Sequence, residues 1–253
     1  MDLKLAGRTA MVTGGTRGIG RAIVEAFLAE GANVAFCART RADVSATEEA
    51  LSGVGPRVVG SVVDVGEADA ITGWIASTAE TFGGIDIVVS NVSALAIPDT
   101  DENWEASLNV DLMGTVRLVR AAMPHLEASE VPSIVTISSV SGREVDFASG
   151  PYGTAKSAIL AYTQGLAYQL AAKGVRANSV SPGNTYFPGG VWESIETSNP
   201  ELFQMAMGLN PTGRMGTPQE MAAGVVFLAS PVSSFTTGSN LLIDGALTRG
   251  IQF

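Results

Sequence analysis

A tyrosine and a lysine four residues apart are the side chains in this sequence whose spacing most directly suggests chemistry. Tyr152 and Lys156 bracket the stretch Tyr-Gly-Thr-Ala-Lys. On a helix, positions i and i+4 share a face, so the phenol and the ammonium would point the same way. A nearby positive charge favours the ionised phenol, which could then give or take a proton near neutral pH. Many exposed helices carry such a pair without a function, so the surrounding sequence has to decide its interpretation.

A glycine-rich turn lies near the start of the chain, between a candidate strand and a candidate helix. It runs from Thr13 through Gly14, Gly15, Thr16, Arg17, Gly18 and Ile19 to Gly20. Glycine permits a sharp turn and a close approach to a pyrophosphate, and a helix N-terminus offers free N–H groups. The spacing is G-x-x-x-G-x-G rather than G-x-G-x-x-G, and similar turns occur without ligands. Its place between strand and helix favours dinucleotide binding.

The end of the second candidate strand indicates which dinucleotide would bind. NAD-selective sites place a carboxylate there, against the ribose 2′-hydroxyl, but this strand ends Cys37-Ala38-Arg39-Thr40-Arg41. The guanidinium groups of Arg17 and Arg39 could instead bind a 2′-phosphate through charge-assisted hydrogen bonds. We therefore expect NADP(H), with NAD(H) still possible. The alternative is that Arg39 and Arg41 are solvated loop charges.

Seven candidate strands alternate with longer helical patterns along the chain. Such alternation predicts an α/β fold, a doubly wound parallel sheet with helices on both faces. Ligands then bind beyond the carboxyl ends of the strands. Asp64 and Val65, which close the third strand, are expected beside the adenine, unless Asp64 only caps the following loop. The candidate strands cover residues 9–13, 33–38, 58–63, 85–90, 133–138, 175–180 and 240–244, and the clearest helical patterns cover 18–30, 102–127 and 152–173.

Composition excludes several classes of protein. The 253 residues carry a net charge of −10, which argues against a nucleic-acid partner. The single cysteine, Cys37, excludes a disulfide framework and a cysteine-ligated metal site. His125 is the only histidine, and we interpret it as structural, with no metal site. There is no run of 18 apolar residues, so we expect a cytoplasmic protein with no membrane partner. No linker-like block divides the chain, so we expect one domain over residues 1–253.

Taken together, these motifs resemble the short-chain dehydrogenase/reductase family over essentially the whole chain. Within that family the sequence is similar to bacterial 3-oxoacyl-carrier-protein reductases and their relatives that act on other ketones. The resemblance implies a Rossmann-type sheet of about seven strands in the order 3-2-1-4-5-6-7. The residues that carry it are Thr13–Gly20, Asp64-Val65, Asn109, Ser139, Tyr152, Lys156, Pro182-Gly183, the segment from Arg214 reading RMGTPQEMA, and Ile243-Asp244-Gly245.

The resemblance assigns a catalytic role to four residues. Tyr152 would protonate the carbonyl oxygen as hydride arrives from the nicotinamide, and Ser139 would polarise that oxygen. Lys156 would bind the nicotinamide ribose and favour the ionised phenol of Tyr152. Asn109, in the stretch LNVDLMG, would hold a water that links Lys156 to solvent. Ser138 competes with Ser139 on position alone, but the offset of thirteen positions from Ser139 to Tyr152 favours Ser139.

The resemblance also implies how the cofactor is enclosed. Pro182-Gly183 would begin a loop over the nicotinamide, with Thr185 or the backbone near it at the carboxamide. The fourth strand ends Ser90-Asn91-Val92-Ser93 where relatives carry Asn-Asn-Ala-Gly. Asn91 keeps the residue that ties adjacent strands together, whereas Val92 and Ser93 add bulk beside the cofactor.

Residues 184–212 are expected to form the substrate loop. Aromatic and methionine side chains in this segment favour a hydrophobic ketone or alcohol. Phe203 and Met207 could instead simply pack on the core. No lysine or arginine occurs between Arg176 and Arg214, so nothing in the loop attracts an anionic substrate.

The leading hypothesis is an NADP(H)-dependent ketone reductase or secondary-alcohol dehydrogenase acting on a small molecule. A second enzymatic hypothesis is an NAD-dependent catabolic dehydrogenase of an alcohol or diol. A hypothesis of another class is a non-catalytic nucleotide-binding regulatory protein, which would not need to keep the proton-transfer residues. From the apolar helices and the family resemblance we expect a homotetramer, with a dimer as the next possibility.

Overall fold

A single parallel sheet organises the protein, which is described here by a computed structural model covering residues 1–251. The last two residues of the expected domain, 252–253, lie outside the described residues. The strands are β1 (Thr9–Thr13), β2 (Asn33–Ala38), β3 (Val58–Val62), β4 (Ile87–Ser90), β5 (Ser133–Ile137), β6 (Arg176–Pro182) and β7 (Asn240–Ile243). Their order is β3-β2-β1-β4-β5-β6-β7 and neighbouring strands run parallel, which confirms the predicted topology.

Helices cover both faces of the sheet. They are α1 (Gly18–Ala29), α2 (Arg41–Leu51), α3 (Ala68–Phe82), α4 (Asp101–Ala106), α5 (Gly114–Ala128), α6 (Pro151–Leu170), α7 (Val191–Ser198), α8 (Pro200–Leu209) and α9 (Pro218–Ala229). One core cluster packs α1 and α9 against the sheet, with Phe27 and Phe36 fully buried. The other packs α3, α5 and α6 against the opposite face, around Ile71 and Leu118. This is the doubly wound, single-domain arrangement that the alternating pattern predicted.

The predicted helix over 102–127 is not continuous. Between α4 and α5 the chain makes a π-helical stretch, Ser107–Met113. A π-helical turn contains more residues than an α-helical one, so it changes which side chains face inward. Here it directs Asp111 into the core at 0% exposure, whereas Asn109 is exposed.

The glycine turn brings two backbone segments into direct contact. Gly14 has a φ of +70° and Gly18 a φ of +53°, a region that favours glycine. A Cβ atom added at Gly20 would collide with the carbonyl of Gly14 and lie 2.5 Å from Nδ2 of Asn91. The N–H groups of Gly14 and Gly15 both donate to the carbonyl of Cys37, at 2.9 and 3.1 Å. The first turn of α1 therefore sits against the ends of β1 and β2 with no room for a side chain.

Two glycine-to-alanine substitutions test this contact. We expect Gly20→Ala to lower the free energy of unfolding by about 1–3 kcal/mol, because the Cβ is overpacked against backbone that cannot move aside easily. Gly73 lies in the exposed face of α3 with nothing within 4 Å of its Cβ position. Gly73→Ala is the matched control and should raise stability by roughly 0.5–1 kcal/mol, through helix propensity. Urea denaturation measures both, and equal effects of the two substitutions would contradict the contact.

Burial of Cys37 gives the protein a pH-dependent stability term. Desolvation raises the pKa of the Cys37 thiol from 9.0 to about 12. In the unfolded chain this thiol ionises at the lower value, so between these two pH values the unfolded state binds fewer protons than the folded state. The stabilisation that the buried, protonated Cys37 thiol gives the folded state is therefore fully present below pH 9 and is lost as the pH rises toward 12.

Cys37→Ala should remove that slope. The variant is expected to be less stable than the native protein at neutral pH, because it loses a buried side chain. The difference in free energy of unfolding between the native protein and the variant should then become smaller above the pKa that the thiol has in the unfolded chain. It should shrink by at most about 1.4 kcal/mol per pH unit. Urea denaturation at a series of alkaline pH values measures it, and a difference that stays constant with pH would disprove the assignment.

Candidate active site

A cavity of about 670 Å³ lies at the carboxyl ends of the strands. Its position is the one expected for a ligand in an open α/β sheet. It reaches from the glycine turn to α7. The predicted site residues that line it are Gly14, Thr16, Arg17, Ile19, Arg39, Asp64, Val65, Asn91, Ser139, Tyr152, Lys156, Pro182, Gly183 and Thr185.

Three predicted residues do not line this cavity. Gly20 is buried behind the turn, against Gly14 and Asn91. Gly18 is covered by the ring of Phe187, which a Cβ at Gly18 would strike. Asn109 is the third, and its position is described below. Phe187 itself lines the cavity, so the loop after β6 closes one side of it over the glycine turn.

The dinucleotide end of the cavity combines free backbone groups with exposed cations. The N-terminus of α1 begins at Gly18 without a side-chain cap. Arg17 and Arg39 are exposed, and within residues 1–251 neither forms an ion pair. Arg41 does not line the cavity, but Asp43 does, an acid that the sequence analysis did not consider. Close glycine packing, a helix N-terminus without a side-chain cap and two exposed guanidinium groups fit a phosphorylated dinucleotide.

Asn91 joins the ends of two strands. Its Nδ2 donates to the carbonyl of Thr13 at 3.0 Å, and its backbone N–H donates to Oγ1 of Thr13 at 2.8 Å. The neighbouring Ser90 is buried and shares a 2.8 Å hydrogen bond with Thr115, so its hydroxyl faces α5. Val92 and Ser93 line the cavity wall, at the departure noted in the sequence. The carbonyl ends of β1 and β4 are thus held together beside the glycine turn.

Two predicted cofactor residues also have local structural bonds. Oδ1 of Asp64 accepts from the N–H of Gly66 at 2.8 Å, so this carboxylate does cap its loop. Oγ1 of Thr185 donates to the carbonyl of Gly183 at 3.0 Å. Both residues still line the cavity, so capping and cofactor contact remain compatible.

Tyr152 and Lys156 lie together at the other end of the cavity. α6 begins with Pro151 at its first position, which sets Tyr152 in the first turn and Lys156 one turn later. Lys156 is only 2% exposed, its Nζ donates to the carbonyl of Ile137 at 3.1 Å, and it lies 5.6 Å from the centroid of the Tyr152 ring. A buried ammonium is therefore held beside a half-buried phenol.

Ser139 and Ser138 have different surroundings. Oγ of Ser138 donates to the carbonyl of Lys156 at 2.9 Å, a bond within the core that anchors α6 to β5. Ser139 follows β5 and begins the short 3₁₀ turn Val140–Gly142. Its Oγ accepts from the N–H of Ser141 at 3.2 Å. Because the hydroxyl of Ser138 is committed to the backbone, Ser139 is the better placed of the two for a ligand.

A chain of hydroxyl groups leads from Ser139 to a carboxylate. Ser139 donates to Oγ of Ser141 at 3.3 Å, and Ser141 donates to Oδ2 of Asp146 at 2.6 Å. Oδ1 of Asp146 accepts from the N–H of Ala148 at 2.8 Å, which fixes the carboxylate. Ser141 and Asp146 line the cavity but were not predicted from the sequence. The available indication was a second serine and an acid soon after Ser139.

Asn109 lies in a different environment from the one expected for it. Its Oδ1 accepts from Nη1 of Arg117 at 2.8 Å on the exposed side of the helix. The residue that approaches Lys156 is Asp111, with Oδ1 at 3.3 Å from Nζ. Residues two apart on a helix lie on nearly opposite sides, so with Asp111 turned inward Asn109 faces outward. The motif LNVDLMG contains both residues; Asn109 was predicted to act near Lys156, and the structure places Asp111 against it.

The substrate end of the cavity has an aromatic wall and a polar edge. Phe147 meets Trp192 edge to face, with ring centroids 5.9 Å apart. Phe203 packs with Trp192 in a small cluster formed by the loop and its helices, with Met207 partly buried against it, so these side chains support the loop rather than the main core. The polar residues on this side of the cavity are Ser93, Ser141, Asp146 and Asn184.

Tyr186 lies nearby but its phenol is unsuited to proton exchange at neutral pH. It donates to Oε2 of Glu196 at 2.6 Å. This hydrogen bond to a carboxylate raises the pKa of Tyr186 to about 12. Of the two tyrosines near the cavity, Tyr152 is the one beside an ammonium.

Neither a metal site nor a membrane helix is present in the part of the chain that the structure describes. Within residues 1–251, no cluster of histidine, cysteine or acidic side chains could hold a metal ion. None of the described helices combines the length and the apolar character needed to cross a membrane. His125 lies in the last turn of α5.

Known proteins resemble this chain in both sequence and structure. Isoepoxydon dehydrogenase of Penicillium expansum is 42% identical over 254 residues, covering 98% of each chain. The NADPH-bound short chain oxidoreductase of Pseudomonas aeruginosa PAO1, described as containing an atypical catalytic center, superposes with a TM-score of 0.89 at 32% identity, covering 97% of this chain and 99% of that one. L-Sorbose reductase of Gluconobacter frateurii, complexed with NADPH and L-sorbose, has a TM-score of 0.91 at 26% identity, covering 99% and 100%.

The family model described as enoyl-(acyl carrier protein) reductase matches residues 14–248, which include the glycine turn, the Tyr152–Lys156 pair and the loop after β6. The match, the relatives and the parallel sheet agree. The chain belongs to the short-chain dehydrogenase/reductase family of oxidoreductases.

Proposed function

We propose that this protein is an NADP(H)-dependent oxidoreductase that interconverts a ketone and a secondary alcohol. The observation that carries the proposal is the buried Lys156 ammonium, 5.6 Å from the Tyr152 ring, in the cavity that also holds the glycine turn. A bound nicotinamide would supply or accept the hydride. A non-catalytic role is disfavoured, because a binding protein has no need to bury a lysine beside a cavity-lining tyrosine.

The chain's own residues would manage the proton and the charge on the substrate oxygen. In reduction, the phenol of Tyr152 would give its proton to the carbonyl oxygen, and in oxidation the phenolate would take it back. Ser139 would donate a hydrogen bond to the same oxygen, once its proton turns from Ser141 to the substrate. Lys156 would bind the nicotinamide ribose and favour the ionised form of Tyr152.

The preference for NADP(H) is supported by Arg17 and Arg39 at the dinucleotide end of the cavity. Both are free to bind a 2′-phosphate, and the two structural relatives described above were solved with NADPH. Asp43 lines the same end of the cavity and favours the second candidate, an NAD-dependent alcohol or diol dehydrogenase. A carboxylate there would repel a phosphate and accept from a ribose hydroxyl.

The proposed substrate is a small molecule with an apolar face. The aromatic wall of Phe147 and Trp192 supports a hydrophobic ketone or alcohol, as the loop composition suggested. Ser93, Asp146 and Asn184 could bind additional hydroxyl groups on its other edge. The relatives described above are named for isoepoxydon and for L-sorbose, a sugar.

The proposed assembly is a homotetramer, with a dimer as the second possibility. The proposed location is the cytoplasm. The proposal is supported by exposed apolar side chains on the helices that border the active site. Tyr168 on α6 is 88% exposed, and Leu108 and Met113 are exposed on the π-helical stretch. Burial of such side chains between copies would stabilise a symmetric assembly.

Tyr152→Phe tests the proposed chemistry. The substitution removes only the phenolic oxygen, so we expect kcat to fall by about 10²–10⁴-fold, while NADPH affinity changes little. Turnover is measured by NADPH consumption on a panel of ketones that includes bulky hydrophobic and hydroxylated members, and affinity by cofactor fluorescence. Persistent activity of the variant on a ketone that the native enzyme reduces would refute the mechanism.

Arg39→Ala tests the cofactor preference. Loss of a charge-assisted hydrogen bond to the 2′-phosphate should weaken NADPH binding by about 10-fold or more, with little effect on NADH. Arg41→Ala is the matched control, because Arg41 is a neighbouring exposed arginine that does not line the cavity. Fluorescence titration with both cofactors measures the effect. Tighter binding of NADH than NADPH to the native protein would favour the second candidate, in which case Asp43→Asn should weaken NADH.

A further inference from the structure

Asp111 brings a second buried charge to the proton-transfer site. The residue is 0% exposed and Lys156 is 2% exposed. Oδ2 of Asp111 accepts from the N–H of Ala94 at 2.8 Å, and Ala94 lines the cavity. Oδ1 lies 3.3 Å from Nζ of Lys156, and among the described residues nothing donates a well-directed hydrogen bond to it. This oxygen is therefore committed to Lys156 by charge rather than by a hydrogen bond.

The carboxylate and the phenol compete for the field of the same ammonium. Lys156 and Asp111 are both almost inaccessible to water, so little solvent screens the interaction between their charges. An unpaired Lys156 would stabilise the phenolate of Tyr152 strongly. With Asp111 in contact with Nζ, the pair carries no net charge, so its field at the phenol is much weaker. Asp111 also fixes the ammonium in place between β5 and the π-helical stretch.

Other charged side chains on the elements around Tyr152 do not duplicate this role. Asp146 is half-buried, and its oxygens accept from Ser141 and Ala148. Arg176 begins β6, so it lies at the opposite end of that strand from the cavity. Two carboxylates on α7 are held by hydrogen bonds: Glu193 accepts from the N–H of Gly189, and Glu196 accepts from the phenol of Tyr186. The other charged side chains on the adjoining elements are exposed: Arg143 and Glu144 on the loop after β5, and Asp101, Glu102 and Glu105 on α4.

We propose that Asp111 is a positioning residue that holds Lys156 and offsets its charge, so that Tyr152 keeps its proton to a higher pH than it would beside an unpaired lysine. The inference rests on the proposed function, in which Tyr152 exchanges a proton with the substrate oxygen. It deepens that function by assigning a direction. A phenol that keeps its proton can act as an acid, which suits ketone reduction better than alcohol oxidation.

Asp111→Asn removes the charge and keeps the shape. We expect ionisation of Tyr152 to move to lower pH, because the ammonium is then unopposed. Alcohol oxidation should extend to lower pH, and ketone reduction should decline at lower pH than in the native enzyme. Ionisation of Tyr152 is followed by the ultraviolet absorbance of its phenolate, after subtraction of the absorbance of the same protein carrying Tyr152→Phe. Turnover is followed by pH–rate profiles for oxidation and for reduction.

Two further substitutions of acidic residues test whether the effect comes from the negative charge at position 111. One keeps that charge and changes the side-chain length, and the other removes a charge elsewhere. Asp111→Glu retains the negative charge, so its rates can fall but its pH profile should stay near the native one. Asp101→Asn removes an exposed carboxylate from α4, in the same helical region, and should leave profile and rates unchanged. A merely structural role for Asp111 predicts lower rates at every pH without movement of the profile, and that result would overturn the inference.

The double variant Asp111→Asn/Lys156→Met keeps the test available if Asp111→Asn alone does not fold. Removal of both members of a buried ion pair is tolerated better than removal of one. If the two charges offset each other, Tyr152 should ionise at a similar pH in the double variant and in the native protein. A large movement to higher pH in the double variant would mean that Lys156 acts unopposed, which contradicts the inference. The absorbance titration needs no turnover, so failure of the proposed function would be recognised separately.

Discussion

The buried ammonium of Lys156 is the constraint on which the rest of the site depends. A charge taken out of water has to be compensated by the protein, and three elements supply that compensation. β5 supplies the carbonyl of Ile137, the π-helical stretch supplies the carboxylate of Asp111, and α6 supplies the ring of Tyr152 beside the lysine itself. Each contact requires the strand and the helices to keep their relative positions. The doubly wound core, rigid on both faces of the sheet, provides that stability.

The dinucleotide end of the cavity relies on a different constraint, the absence of side chains. Gly20 packs directly against the carbonyl of Gly14, and Asn91 ties β4 to β1 at the same point. The N-terminus of α1 is thereby brought close to the sheet edge, where Ile19 of its first turn lines the cavity. The proton-transfer end and the dinucleotide end lie in one cavity because parallel strands place all their carboxyl ends on the same edge.

Much of this arrangement could be predicted from the sequence. The seven strands agree with their predicted ranges to within two residues at each end, because short β-branched runs bounded by turns are strong local patterns. Tyr152 and Lys156 were recognisable from their spacing and from the motifs around them. Asn109 was predicted to act near Lys156, but Asp111 of the same motif lies against that lysine. A motif locates a segment, whereas the packing of the helix decides which of its side chains faces inward.

The amino-acid sequence by itself determined the order of the elements, the glycine turn, the pairing of phenol and lysine, and the lack of an acid at the end of β2. These are properties of neighbouring residues and of hydrophobic periodicity, which act over short distances along the chain. Only the tertiary structure decided that Asp111 is the partner of Lys156, that Ser141 and Asp146 stand behind Ser139, and that Phe187 covers Gly18. The physical reason is that the contacts of Asp111 with Lys156 and of Phe187 with Gly18 join segments far apart in the chain. The contacts behind Ser139 are local, but they depend on the conformation of the turn after β5, which packing in three dimensions selects.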